Sequence, residues 1–90
     1  MPEIKVPAVL AGGSATTTHD VSGGTVREAL EAHAEAHGPE LRDSVLAENG
    51  ELKEFINLYV NGEEVSHLAG LDTEVDSDDQ IRVIPAASGG

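Results

Sequence analysis

The run Phe55-Ile56-Asn57-Leu58-Tyr59-Val60, followed at once by Asn61-Gly62 and Glu63-Glu64-Val65, constrains this chain more than any other stretch. Aromatic and β-branched residues favour a pleated strand. Asn-Gly supplies two residues that tolerate positive φ, which a tight type I′ hairpin requires. The segment therefore reads as strand, turn and the start of a return strand. Parity sorts its side chains: Ile56, Leu58 and Val60 share one face, and Phe55, Asn57 and Tyr59 share the other.

Around this hairpin the rest of the chain falls into place. Ile4, Val6, Ala8 and Leu10 lie on one parity, predicting a strand from Glu3 to Leu10. Pro7 has no N–H for the ladder and should leave an irregular spot there. Ala11-Gly12-Gly13-Ser14 reads as a turn and Ala15 to Val21 as a second strand, so the chain opens with a hairpin. After the break at Ser22-Gly23-Gly24, Thr25 and Glu28 have the spacing of a capping box. Val26, Ala29, Leu30 and His33 then form a narrow apolar stripe at helical spacing. Gly38-Pro39 should stop that helix, with Gly38 as a left-handed cap. Leu41, Val45 and Leu46 suggest one more helical turn before Asn49-Gly50. Gly70-Leu71-Asp72-Thr73 reads as a loop or 3₁₀ turn and Asp76-Ser77-Asp78-Asp79 as another turn. Gln80 to Ile84 is the last strand, ended by Pro85. Ile81 and Val83 take one face of it, Arg82 and Ile84 the other.

The order is hairpin, helix, hairpin, strand. It predicts an α+β domain over residues 1–85, with a mixed four- to five-stranded sheet crossed by one main helix. The helical connection allows parallel pairing of the strands it links. Residues 86–90, Ala86-Ala87-Ser88-Gly89-Gly90, carry no side chain able to anchor them and are expected to form a flexible tail.

Charge excludes some functions. Lys and Arg number 5 against 17 Asp and Glu, a net charge of −12. Such a surface repels phosphate backbones, so no nucleic-acid partner is expected. The acidity fits a basic docking groove on a partner, reached by electrostatic steering. It equally fits a halophilic source, whose salt screens self-repulsion within ~3 Å at 1 M. Scattered carboxylates and few lysines lean to the second, and the two are compatible. Phe55 and Tyr59 are the only aromatics, so the core should be aliphatic, thin and weaker at low salt. No apolar run approaches the ~18 residues of a membrane span, and the N-terminus has no signal-peptide pattern. A cytoplasmic monomer without membrane contact is the expectation.

Autonomous catalysis finds no support. There is no cysteine, hence no disulfide, thiolate metal site or cysteine nucleophile. His33 and His37 are four apart on the predicted helix, as in a helical zinc pair. Ala34 stands where the metalloprotease pattern needs Glu, and no third ligand is evident. These two, with His19 and His67 each alone, read as ordinary structural or surface histidines, and no metal is expected. Glu63-Glu64 and Asp78-Asp79 read as solvated turn residues. Gly12-Gly13 and Gly23-Gly24 lack the following Gly-Lys-Ser/Thr of a phosphate loop.

Two faces remain to be assigned. The aliphatic set should meet the helix. The mixed set then exposes Tyr59 and Ile84 beside Arg82, and an apolar cluster with a polar rim marks a partner docking site. The terminal Gly89-Gly90 is weak evidence alone, since at ~7% glycine usage such a pair arises roughly once in 200 termini. Behind Pro85-Ala86-Ala87-Ser88 it has a chemical reading. A C-terminal carboxylate ionises at about 3.5, so at neutral pH it is an anion able to attack the α-phosphate of ATP. Glycines at 89 and 90 remove every Cβ near the reacting carbon, giving the tail clearance in a narrow tunnel.

Residues 55–65, then Gly70-Leu71-Asp72-Thr73, then Ile81-Arg82-Val83-Ile84-Pro85-Ala86-Ala87-Ser88-Gly89-Gly90 resemble the ThiS/MoaD-type sulfur carriers. The likeness extends over the whole chain and is strongest to members ending Pro-Ala-x-x-Gly-Gly, archaeal small modifier proteins among them. One departure is Ser77-Asp78-Asp79, where the family often has Asp-Gly-Asp; Asp tolerates the left-handed region better than most residues. The resemblance implies a β-grasp, ubiquitin-like fold and a carrier that is itself no enzyme and holds no permanent cofactor. It implies a ubiquitin-activating-type adenylating enzyme as partner, which uses ATP to convert the Gly90 carboxylate to an acyl-adenylate. Sulfur then replaces AMP, and the thiocarboxylate serves molybdopterin (molybdenum cofactor), thiamine, cysteine or tRNA-thiolation chemistry in an acceptor enzyme. The alternative is a protein modifier that joins Gly90 to target lysines by an isopeptide bond, with Lys5 or Lys53 as chain acceptors. A third reading is a non-covalent β-grasp binding module whose glycines are incidental.

Overall fold

Strand β1 (Glu3–Val6) stops earlier than alternation alone predicts. Pro7 cannot donate to a ladder, and its fixed φ suits the first turn of a helix. The chain accordingly turns into a short helix, α1 (Ala8–Ala11), with the Leu10 N–H on the Pro7 carbonyl. The computed structural model describes residues 1–11 and 16–85. The turn expected at 12–14, the start of the second strand at Ala15 and the tail 86–90 with Gly89 and Gly90 lie outside the described residues. Strand β2 (Thr17–Asp20) runs back antiparallel to β1, pairing Ile4 with His19 and Val6 with Thr17.

Helix α2 (Val26–His37) starts as its capping box specifies. The Glu28 N–H donates to Thr25 Oγ1 at 3.2 Å, and the Glu28 carboxylate accepts from the Gly24 N–H at 2.8 Å. Val26, Ala29, Leu30 and His33 are its buried residues. Gly38 ends it with φ 98° and ψ 161°, a positive-φ but extended conformation rather than the expected left-handed helical one. The Gly38 N–H still closes on the Ala34 carbonyl at 2.9 Å. A second short helix, α3 (Glu40–Val45), buries Leu41 and Val45.

Strand β3 (Ile56–Val60) and the two-residue β4 (Glu63–Glu64) enclose Asn61-Gly62. Both central residues have positive φ, 53° and 86°, as a type I′ turn requires. Glu63-Glu64 is therefore strand rather than turn. Val65, expected to continue it, instead begins a 3₁₀ turn (Val65–His67) and is buried. A second 3₁₀ turn spans Gly70–Asp72. Strand β5 (Gln80–Pro85) closes the sheet, whose order is β2-β1-β5-β3-β4. The only parallel pair is β1 with β5 among the described strands; β2 and β3, which the helices link, are not neighbours.

Alternation dictates the layers. Ile4, Val6, Ile56, Leu58, Val60, Ile81 and Val83 point from the sheet into a core closed by α2 and by Leu41, Val45, Val65, Leu71 and Val75. Each fully buried aliphatic side chain contributes about 1.5–3 kcal/mol. The mouth of α2 is tied to the 70–75 segment: Val26 N–H donates to Thr73 O and Val75 N–H to Gly24 O, both at 3.0 Å. The buried Thr73 hydroxyl donates to Gly70 O and accepts from Ala69 N–H, so Gly70-Leu71-Asp72-Thr73 is a self-satisfied corner with Leu71 inward.

Candidate functional site: the open sheet face at the root of the tail

Because the core claims one parity of every strand, the other parity forms a continuous open face. Register aligns it in rows. Arg82 lies between Lys5 on β1 and Tyr59 on β3, while Thr18 pairs with Lys5 and Glu64 with Tyr59. Ile84 is opposite Asn57 and is 37% exposed. Tyr59 is half-buried and Arg82 exposed. Phe55 precedes β3 rather than joining it, and projects 56% exposed. Two shallow depressions share Arg82 and Ile84. One is lined by Tyr59, Asn61, Gly62 and Gln80, the other by Lys5, Pro7, Thr16 and Pro85.

The electrostatics of this face differ from the rest. Arg27 pairs with Asp72 and Arg42 with Glu31 and Asp43. Lys5 and Arg82, like the solitary Lys53 beside α3, make no ion pair among the described residues, although the chain carries −12, and only Lys5 and Arg82 lie side by side. Two adjacent cations beside Tyr59 and Ile84 thus stand out on an acidic molecule. Strand β5 ends at Pro85, one residue past the exposed Ile84, and residues 86–90 follow it directly.

The expected docking residues Tyr59, Arg82 and Ile84 are brought together here. Lys5, considered only as a lysine acceptor from sequence, joins them. Its signal was the β1–β5 parallel pairing, which depends on topology and not on spacing. Lys53 is separate and exposed, beside α3, Ala47 and Glu48. Gly89 and Gly90 lie outside the described residues.

At the hairpin end of this face, Asn61 acts as a brace. Its Oδ1 accepts from Gln80 N–H at 2.9 Å, and its Nδ2 donates to Asp79 at 2.7 Å. Asp79 also accepts from Asp76 N–H at 2.8 Å. That backbone bond first, and the Asn61 amide second, hold the Asp79 carboxyl below its usual 3.8. Asp79 is therefore a turn-closing group rather than merely solvated. Asp78 needs no left-handed conformation, since Asn61 is the only non-glycine residue with positive φ among the described residues.

The histidines are not all isolated either. His19 on β2 meets the His33 and His37 pair of α2, with ring centroids 4.0–5.2 Å apart. His67 stands apart, 3.7 Å from Glu64.

A mixed five-stranded sheet gripped around one main helix, with one strand face open, defines a ubiquitin-like β-grasp protein. The sequence model of the ThiS family matches residues 5–90, and the chain belongs to that family. Sulfur carrier protein CysO of Mycobacterium tuberculosis is 32% identical over 92 residues, covering 97% of this chain and 96% of that protein. Small archaeal modifier protein 1 of Haloferax volcanii is 39% identical over 79 residues, covering 87% and 85%. Among solved structures, a chain of the Amycolatopsis orientalis BexX/CysO complex is similar with TM-score 0.81 and 29% identity, 100% of each chain covered. These relatives are carriers and modifiers rather than catalysts. No helix among the described residues is long and apolar enough to cross a membrane.

Proposed function

We propose that this chain is a ubiquitin-like sulfur carrier that a ubiquitin-activating-type enzyme charges at Gly90. The carboxylate oxygen of Gly90 attacks the α-phosphate of ATP and expels pyrophosphate, giving an acyl-adenylate. A sulfur nucleophile then displaces AMP and leaves a thiocarboxylate, which passes its sulfur to an acceptor enzyme. ATP belongs to the partner; this chain contributes the carboxylate, the unhindered Gly89 behind it and a surface to hold. The observation that carries the reading is the coincidence of the Lys5–Arg82–Tyr59–Ile84 patch with the end of β5. A partner gripping that patch also fixes where the tail begins. Its own surface should be acidic opposite Lys5 and Arg82, and apolar opposite Ile84.

The relative named as a modifier supports a second reading, in which a lysine amine displaces AMP and forms an isopeptide bond. Exposed Lys53 is then the better placed chain acceptor than half-buried Lys5. One incubation separates the two. With the activating enzyme, ATP and a sulfur source, intact mass of the carrier should show oxygen replaced by sulfur at the C-terminal residue. Conjugate ladders that vanish when Gly90 is deleted, without that mass change, would move the assignment to a modifier. Full cellular function after deletion of Gly89-Gly90 would leave only a non-covalent binding module.

A further inference from the structure

The strongest feature that the carrier role leaves unused is the histidine cluster. On α2, His33 and His37 are one turn apart, and β2 brings His19 against both, so that the three rings form a triangle. Ring centroids are 5.2 Å apart for His19 and His33, 4.0 Å for His19 and His37, and 4.8 Å for His33 and His37. The rings line a recess with Val6, Leu10, Thr17, Gly38, Glu40 and Leu41. His33 is 6% exposed, and neither of its ring nitrogens has a hydrogen-bond partner. A buried imidazole with no partner at all is costly.

We propose that His19, His33 and His37 form a binding site for one divalent transition-metal ion of zinc type, with Glu40 or water completing the shell. Three imidazoles bound to one zinc ion at 2.0–2.1 Å with tetrahedral angles place their ring centres about 5 Å apart; the His19–His33 and His33–His37 pairs already have that spacing, at 5.2 and 4.8 Å, and His19 and His37, at 4.0 Å, must part by about 1 Å. Neutral imidazole is the form a metal takes. Burial, then the neighbouring His37 and His19, lower the His33 pKa from 6.5, so it is neutral near pH 7. Imidazoles select zinc, nickel, cobalt or copper over magnesium and calcium. Glu40 lies beside Gly38 and is the one carboxylate lining the recess among the described residues.

As the side chains stand, the described residues contain no ready-made ligand set. The ring planes are tilted by 37–70° rather than aimed at one point. His37 is exposed and His19 half-buried, so both can turn toward a metal held by the buried His33 without repacking the core. This site is independent of the tail and of its charging, and it stands or falls separately from them. A bound water is the competing occupant of the recess; it would satisfy His33 without any metal.

The test uses the full chain after chelation and dialysis. Zinc is titrated by calorimetry at pH 7.5, with millimolar magnesium present to occupy scattered carboxylates. One equivalent should bind, and the imidazole signals of His19, His33 and His37 should shift together in NMR while those of His67 do not. His19→Asn and His37→Asn, both at accessible positions, should each weaken binding by at least ~10- to 100-fold. His67→Asn should leave it unchanged. Binding that magnesium abolishes, or that His19→Asn leaves intact, contradicts the site. So do three histidines that titrate with pH but ignore zinc.

Discussion

At the residue scale, Asn61 illustrates how much one side chain can settle. Its backbone takes the positive φ of the turn, and its amide spans to Gln80 and Asp79. Asn61→Ala should cost about 1–2 kcal/mol, combining left-handed strain with two lost hydrogen bonds; urea denaturation would register it, and an unchanged midpoint would remove the brace from the account. Gly23 has a harder constraint, because a Cβ there would sit 2.8 Å from the Ala29 backbone nitrogen, at φ 141°. His33 gives a pH signature. Its pKa is depressed in the folded state, so the unfolded chain binds the extra proton. Stability is then full above the unfolded pKa of about 6.5 and falls as pH drops from there toward the folded pKa. His33→Asn should flatten this part of a melting-temperature profile; an equally steep profile would assign the dependence elsewhere. Turn and capping chemistry was legible in sequence because it is local. The position of His19 beside His33 and His37 was not, since nothing in spacing places β2 against the last turn of α2.

At the element scale, alternation identified which face of β3 and β5 is buried, residue for residue. It failed on β1, where Ala8 and Leu10 continue the parity but Pro7 has already ended the ladder. The β1–β5 pairing was also illegible, because it joins residues almost a chain length apart, and with it went the position of Lys5 beside Arg82. The core is aliphatic and shallow, so each layer counts. Leu58, fully buried at the sheet centre, should cost ~2–5 kcal/mol on Leu58→Ala. In a domain whose total stability is about 5–15 kcal/mol, this should be visible as a large drop in the denaturation midpoint. The open-face pair Lys5 and Arg82 behaves differently. Lys5→Gln with Arg82→Gln, compared with the parent at 1 M KCl where the added net negative charge is screened, should leave the melting temperature nearly unchanged; at low salt it should raise KM for the activating enzyme roughly tenfold and flatten its salt dependence. Unaltered KM would mean that the partner grips another face.

At the scale of the whole molecule, net charge and the order of elements dominate. A chain at −12 repels itself, and raising KCl from 0.1 M shrinks the Debye length from ~10 Å to ~3 Å at 1 M. Melting temperature should rise by several degrees over that range; a flat response would argue that the acidity serves docking rather than a salty environment. The fold was legible from the order of elements because few topologies accept hairpin, helix, hairpin and strand around one core. The chemistry proposed for Gly89 and Gly90 rests on residue type and resemblance alone, since both lie outside the described residues. The most direct measurement of the central claim is therefore ATP–pyrophosphate exchange by the activating enzyme, with the full chain and with a chain lacking Gly89-Gly90. Exchange should require the full chain and disappear with the truncated one, although both fold alike. Exchange undiminished by the truncation would contradict the claim that Gly90 carries the reacting carboxylate.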